Sequence, residues 1–161
     1  MIKNTTKNQK LGWVLFISYL ILLVYFLFFA EAFGRTTRPQ DTYAYNLEPF
    51  KEIRRFWTYR DVVGMKSFLL NVIGNIAGFL PAGFFLPIVS RRNKKWYNTF
   101  LICFLFSLSV ETVQLVFKVG SFDVDDIMLN VSGAVLGYIL YQIVQTVRSR
   151  HRVRKKKSQA R

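Results

Sequence analysis

The sequence has one cysteine and one histidine. A single thiol, Cys103, excludes an internal disulfide framework and any cysteine-built zinc site. The single imidazole, His151, stands in a basic C-terminal stretch. No histidine is therefore left in the apolar body for a Ser–His–Asp arrangement or a histidine-rich metal site. Negative charge is scarce as well, with Asp and Glu numbering 9 against 23 Lys and Arg, for a net charge of +14. Charged residues make up only 20% of the chain, below the roughly 25% of an ordinary soluble domain. What is present instead is apolar: 52% hydrophobic residues, 17% aromatics and a mean hydropathy of +0.21. This balance argues against a plain cytosolic globule, and the wealth of aromatics and aliphatics argues against disorder. A length of 161 residues fits one domain with tails. Any chemistry must use carboxylates, amides, hydroxyls, Lys or Arg.

Four apolar runs dominate. Residues 11–29 carry no formal charge, and this run meets the roughly 20 residues of helix that a bilayer core requires. Ala30 and Ala32 resemble a signal-cleavage site, but the run exceeds the usual roughly 7–15-residue apolar core of a signal peptide, which favours a retained helix. The other runs are 68–89, 97–117 and 127–147; Glu111 is the one formal charge within the four. Backbone groups in lipid must pair internally, so runs this long predict four spanning helices. The fold class expected is all-α, a polytopic membrane protein.

Charge orients the spans. Three Lys precede the first run, Arg91, Arg92, Lys94 and Lys95 separate the second from the third, and a basic stretch follows the fourth. The segments 31–66 and 118–126 together carry no net charge. Basic residues remain cytoplasmic, so both termini are expected inside and the 31–67 loop outside. The expected division is a four-helix membrane domain over 11–147 and a flexible, basic cytoplasmic tail over 148–161. That tail reads as an orientation signal and an anionic-lipid contact. It lacks interleaved aromatics, so no nucleic-acid partner is expected.

The polar residues inside the runs are the informative ones. A carboxylate at the centre of a membrane helix costs roughly 2.5–3.5 kcal/mol on insertion scales and usually faces protein or water. Ser107, Glu111 and Gln114 share a helical face, as do Asn71, Asn75 and Gly78, and Asp126, Asn130 and Gly133. At 1.5 Å per residue, Asn71 and Asn75 lie about 5 and 10 Å below the outer surface, Gln114 and Glu111 about 5 and 9 Å, and Asn130 about 5 Å. Polar groups from three helices at one level predict a polar cavity open to the outer leaflet. Gly133 and Gly137, and also Gly74 and Gly78, form small-xxx-small pairs that permit close helix approach.

Above that level lie Asp123, Asp125 and Asp126. Asp125 or Asp126 suits the capping of the fourth helix, whose dipole either would complement. A hard cation is a weaker reading, since no calcium-loop pattern is present; no metal and no cofactor are expected. In the outer loop, Phe50, Ile53, Phe56 and Trp57 recur at helical spacing between Lys51, Arg54 and Arg55, consistent with an amphipathic helix on the membrane surface.

These residues resemble the VanZ-like membrane proteins. The likeness runs over 46–138: Asn46, Leu47, Pro49 and Phe50 in the outer loop; Asn75, Phe79, Pro81 and Gly83 in the second run; and Glu111, Gln114, Gly120, Asp123, Asp126, Asn130 and Gly133. Asn71 and Asp125 fit the family pattern less clearly. The resemblance implies a cell-envelope membrane protein; the founding member is associated with low-level resistance to teicoplanin, a lipoglycopeptide, and no reaction is implied. Two functions follow as expectations. The first is a non-catalytic binder of an amphiphile, whether membrane lipid, lipoglycopeptide or lipid-linked wall precursor. Asn46, Asn75, Glu111, Gln114, Asp123, Asp126 and Asn130 would meet its polar groups, and Arg54 or Arg55 its phosphate. The second is an enzyme acting on a lipid-linked envelope substrate, with Glu111 and Asp123 or Asp126 as acid and base. A proton-coupled transporter finds no matching polar residues in the inner halves of the spans.

Overall fold

A computed structural model describes residues 7–29, 43–59, 65–89 and 95–159. Most of the 31–67 loop's first half, the stretch 60–64 and the basic residues Arg91, Arg92 and Lys94 lie outside the described residues, as does the cleavage-like Ala30–Ala32.

The chain folds into α1 (Lys7–Phe29), β1 (Tyr45–Asn46), α2 (Lys51–Thr58), α3 (Met65–Val89), α4 (Trp96–Val116), β2 (Phe122–Asp123) and α5 (Val124–Gln159). The four long helices overlap the four apolar runs, and each contains a window long and apolar enough to cross a membrane. Their exposed residues are largely apolar, including Leu11, Ile21, Phe26, Ile73, Leu105 and Ile139. That is the pattern of a bundle whose outer surface faces lipid and whose polar groups turn inward.

The central pair is α3 with α5. Their contacts advance together: Gly133 meets the Ile76 carbonyl, Gly137 the Leu80 carbonyl, and Phe84 packs edge-on against Tyr141. The two helices therefore run parallel. A β-carbon on Gly83, Gly133 or Gly137 would lie 1.8 Å, 2.1 Å and 1.9 Å, respectively, from a backbone oxygen of the facing helix. Only glycine allows the backbones to come so near. The other pair behaves differently: Gly74 has nothing within 4 Å of such a carbon, and Gly78 meets only the end of the Leu23 side chain.

Helices α1 and α4 run opposite to that pair. The Tyr19 hydroxyl donates to the Gly78 carbonyl, and the Gln114 amide donates to the Leu27 carbonyl at 2.9 Å. The second bond joins the last turns of α1 and α4, so these two are parallel to each other. It also supplies a donor to one of the last four carbonyls of α1, which lack intrahelical partners. Pro81 and Pro87 sit inside α3 without ending it, as spanning helices tolerate where neighbours re-satisfy the freed backbone groups. Phe16, Leu23, Phe79, Ala82, Leu86, Cys103 and Ala134 form the apolar core.

Helix α5 continues without interruption past residue 147 to Gln159, so the basic stretch is helical through 159. Extending an existing helix costs far less than nucleating one. Arg and Lys are good helix formers, and cations near a C-terminus complement the dipole.

Candidate functional site: a buried carboxylate–amide hub

Toward the end of the bundle where α1 and α4 finish and α5 begins, Asn46, Glu111, Gln114, Asp123, Asp125, Asp126 and Asn130 are buried. The α4–β2 connection brings them together. Helix α4 ends in a left-handed turn at Lys118 (φ 55°), where Lys118 N–H donates to the Leu115 carbonyl and Val119 N–H to that of Gln114. This is the double-bonded helix terminus in which glycine is more usual. The reversal returns the chain over α4, so that the Glu111 carboxylate accepts the Asp123 backbone N–H at 2.9 Å.

Asp123 is the residue that caps α5. Its Oδ1 accepts the Asp125 N–H at 2.9 Å, two residues on, as an N-cap side chain does. The same oxygen accepts from Asn46 Nδ2 at 3.0 Å. Asn46 reaches it because β1 and β2 pair in parallel, Tyr45 beside Phe122 and Asn46 beside Asp123, with Phe122 N–H donating to the Ala44 carbonyl at 3.0 Å. The Asn46 Oδ1 turns back to accept the Glu48 N–H, closing a local side-chain turn.

Expectation and structure part at Asp125. It caps not its own helix but α2, from across the fold. Its two oxygens accept the backbone N–H groups of Phe50, Glu52 and Ile53, three of the donors that a helix start leaves unpaired. The carboxylate is 1% exposed, and it lies in the first turn of α5 as well as at the start of α2. Two positive helix ends thus face one negative group. It also holds Phe50 at φ 64°, a left-handed conformation unfavourable for a bulky residue. The only sequence signal for this role was the density of carboxylates in the 123–126 segment. Nothing local identified which of them would leave its own helix.

Asp126 accepts from Asn75 Nδ2 at 2.7 Å, tying α5 to α3. One turn further along α5, Asn130 donates to Ser107 Oγ at 3.0 Å, while its own Oδ1 is buried without a partner. Asn71, placed by spacing on the same face as Asn75, is half-buried and makes no side-chain hydrogen bond among the described residues. Arg54 and Arg55 stand apart from the hub on the exposed side of α2; Arg55 pairs with Glu52 at 2.7 Å.

Where the cavity was expected, the described side chains pack closely. Glu111 is 2% exposed and Asn130 1%, and these side chains bond to one another and to backbone rather than lining a hollow. Two open concavities in the described surface lie along Tyr138–Arg150 and around Val147–Arg154 of α5. Polar groups from several helices brought to one depth in a low-dielectric interior satisfy each other, because a group left unpaired there is costly. Among the described residues, no group of three His, Cys, Asp or Glu is placed to hold a metal ion. Glu111, Asn75, Asn46 and the three aspartates link α2, α3, α4 and α5 to one another.

Four long apolar helices fastened at one end by such a hub define a multi-pass helical membrane protein. The family model described as VanZ/LLP1 matches residues 16–145, and the chain belongs to the VanZ/LLP1 family. No curated protein and no solved structure gives a match.

Proposed function

We propose that this VanZ/LLP1 protein is a non-catalytic component of the cell envelope that binds an amphiphile with an anionic head group, using the outward face of α2. The observation that carries this reading is the anchoring of α2. A single eight-residue helix in an outer loop would not be stable alone, yet Asp125 supplies acceptors for three of its first N–H groups. The clamp holds an exposed Arg54 beside exposed Trp57 and Tyr59. An aromatic–cationic surface of that kind suits a membrane interface, where rings sit at head-group level and a guanidinium meets phosphate or carboxylate.

Under this reading Asn46, Asn75, Glu111, Gln114, Asp123, Asp126 and Asn130 position the binding helix rather than touch the ligand. The basic 148–161 segment stays in the cytoplasm and the hub faces outward. The ligand is an envelope lipid, a lipid-linked wall precursor or a lipoglycopeptide, and low-level teicoplanin resistance follows from holding drug or target at the surface. An acid–base enzyme would require Glu111, Asp123 or Asp126 to face a substrate, and the burial of all three favours the positioning role.

The test is teicoplanin susceptibility in a sensitive host expressing the protein. Wild type should raise the inhibitory concentration, Arg54→Gln should remove most of the gain, and Asp125→Ala should remove it entirely at equal membrane abundance. Retention of the full gain by both variants would refute the assignment to α2. Turnover of an envelope lipid by purified protein, seen by mass spectrometry, would replace binding with catalysis.

A further inference from the structure

At the other end of α5 is a surface that the hub does not explain. Tyr138, Ile139, Gln142, Ile143, Val147 and Arg150 lie along one side of the helix and border a shallow open space of about 390 Å³. A second hollow of about 200 Å³, between Val147, Arg150, His151 and Arg154, continues the same stripe. Ile139, Ile143, Val147, Arg150 and Arg154 recur at intervals of three and four, so they share one face. Its first part is apolar and uncovered, with Ile139, Ile143 and Val147 all exposed. Its second part is cationic, and no Asp or Glu follows Asp126 anywhere in the sequence.

The dimensions match one lipid leaflet. From Ile139 to Arg150 the helix rises by about 16 Å, close to half of a roughly 30 Å hydrocarbon core. An acyl chain laid along Ile139, Ile143 and Val147 would bring its head group to Arg150 and Arg154. Two guanidiniums one turn apart offer forked donors to a phosphate. A second copy of the chain is a poor occupant, because it would bring like charges together. A soluble phosphate would leave the apolar half uncovered.

We propose that this face of α5 is a binding site for one anionic phospholipid, with its phosphate between Arg150 and Arg154 and an acyl chain along Ile139, Ile143 and Val147. The site is at the opposite end of α5 from the hub and does not depend on the ligand assigned to α2. Native mass spectrometry of the full chain in detergent tests it, with phosphatidylglycerol, phosphatidylcholine or inorganic phosphate added. The expected result is preferential retention of phosphatidylglycerol, weakened about tenfold by the pair Arg150→Gln and Arg154→Gln. The pair Arg148→Gln and Arg152→Gln, which removes the same charge from a different face, should leave retention nearly unchanged. Equal weakening by both pairs would reduce the effect to diffuse attraction and overturn the site. Equal retention of phosphatidylcholine, or full competition by inorganic phosphate, would overturn it too.

Discussion

Three neighbouring aspartates do three different jobs, although their side chains are chemically identical. Asp123 caps α5, Asp125 caps α2 and Asp126 holds Asn75. Asp125 has the widest reach, since its partners at Phe50, Glu52 and Ile53 lie more than 70 residues away in the chain. Each hydrogen bond to a charged group contributes about 1.5–3 kcal/mol, and a lost cap typically costs about 1 kcal/mol. Asp125→Ala should therefore weaken the docking of α2 by about 3 kcal/mol while the long helices persist. Hydrogen exchange checks this: the amides of Glu52 and Ile53 should exchange on the order of a hundredfold faster, with α3 and α5 unchanged. Asp125→Asn, which keeps one good acceptor, should fall between. Unaltered exchange at those amides in Asp125→Ala would mean that α2 is held by something else.

Among the elements, the parallel α3–α5 pair depends on glycine at three positions. Helices surrounded by lipid gain little from hydrophobic association, so they rely on close packing. Alanine at Gly83, Gly133 or Gly137 would push a methyl group into a facing backbone carbonyl, which cannot move aside as a flexible side chain would. Overpacking of this kind costs about 1–3 kcal/mol, so each substitution should lower the unfolding temperature in detergent. Gly74→Ala provides the contrast. It fills open space within a helix, where alanine is favoured over glycine by about 1 kcal/mol, and should leave the temperature unchanged or raise it. Equal losses at all four positions would contradict the packing described.

For the whole molecule, the contacts place the start of α1 and the end of α5 at one end of the bundle, and the hub at the other. The basic final turns of α5 fall at the first end, and we propose that this end faces the cytoplasm. Cys103 is the sole cysteine and is buried, so introduced thiols can report topology against a quiet background. Cysteines placed at Thr58 and at Ser158 should react with a membrane-impermeant maleimide from opposite sides, Thr58 in intact cells and Ser158 only after permeabilisation. Labelling of both in intact cells would reject the four-span arrangement.

How much of this was legible beforehand differs between fold and site. Leu11–Phe28, Asn71–Val89 and Trp96–Val116 stood out as spans because length and lack of charge are properties of a continuous stretch. Asn75, Glu111 and Asn130 could be expected near one level because helical rise is constant per residue. The close approach at Gly133 and Gly137 was legible as a possibility, yet the same spacing at Gly74 and Gly78 marks no such contact. The sequence alone determined the four apolar spans and which polar residues interrupt them. The burial cost of each residue accumulates along the chain with little regard to neighbours. Only the tertiary structure decided that those groups close on one another, that Asp125 serves a distant helix, and that α5 carries a second face at its far end. Those outcomes depend on where N–H donors and facing backbones from remote segments arrive in space, and chemically equal acceptors are distinguished only by that arrival.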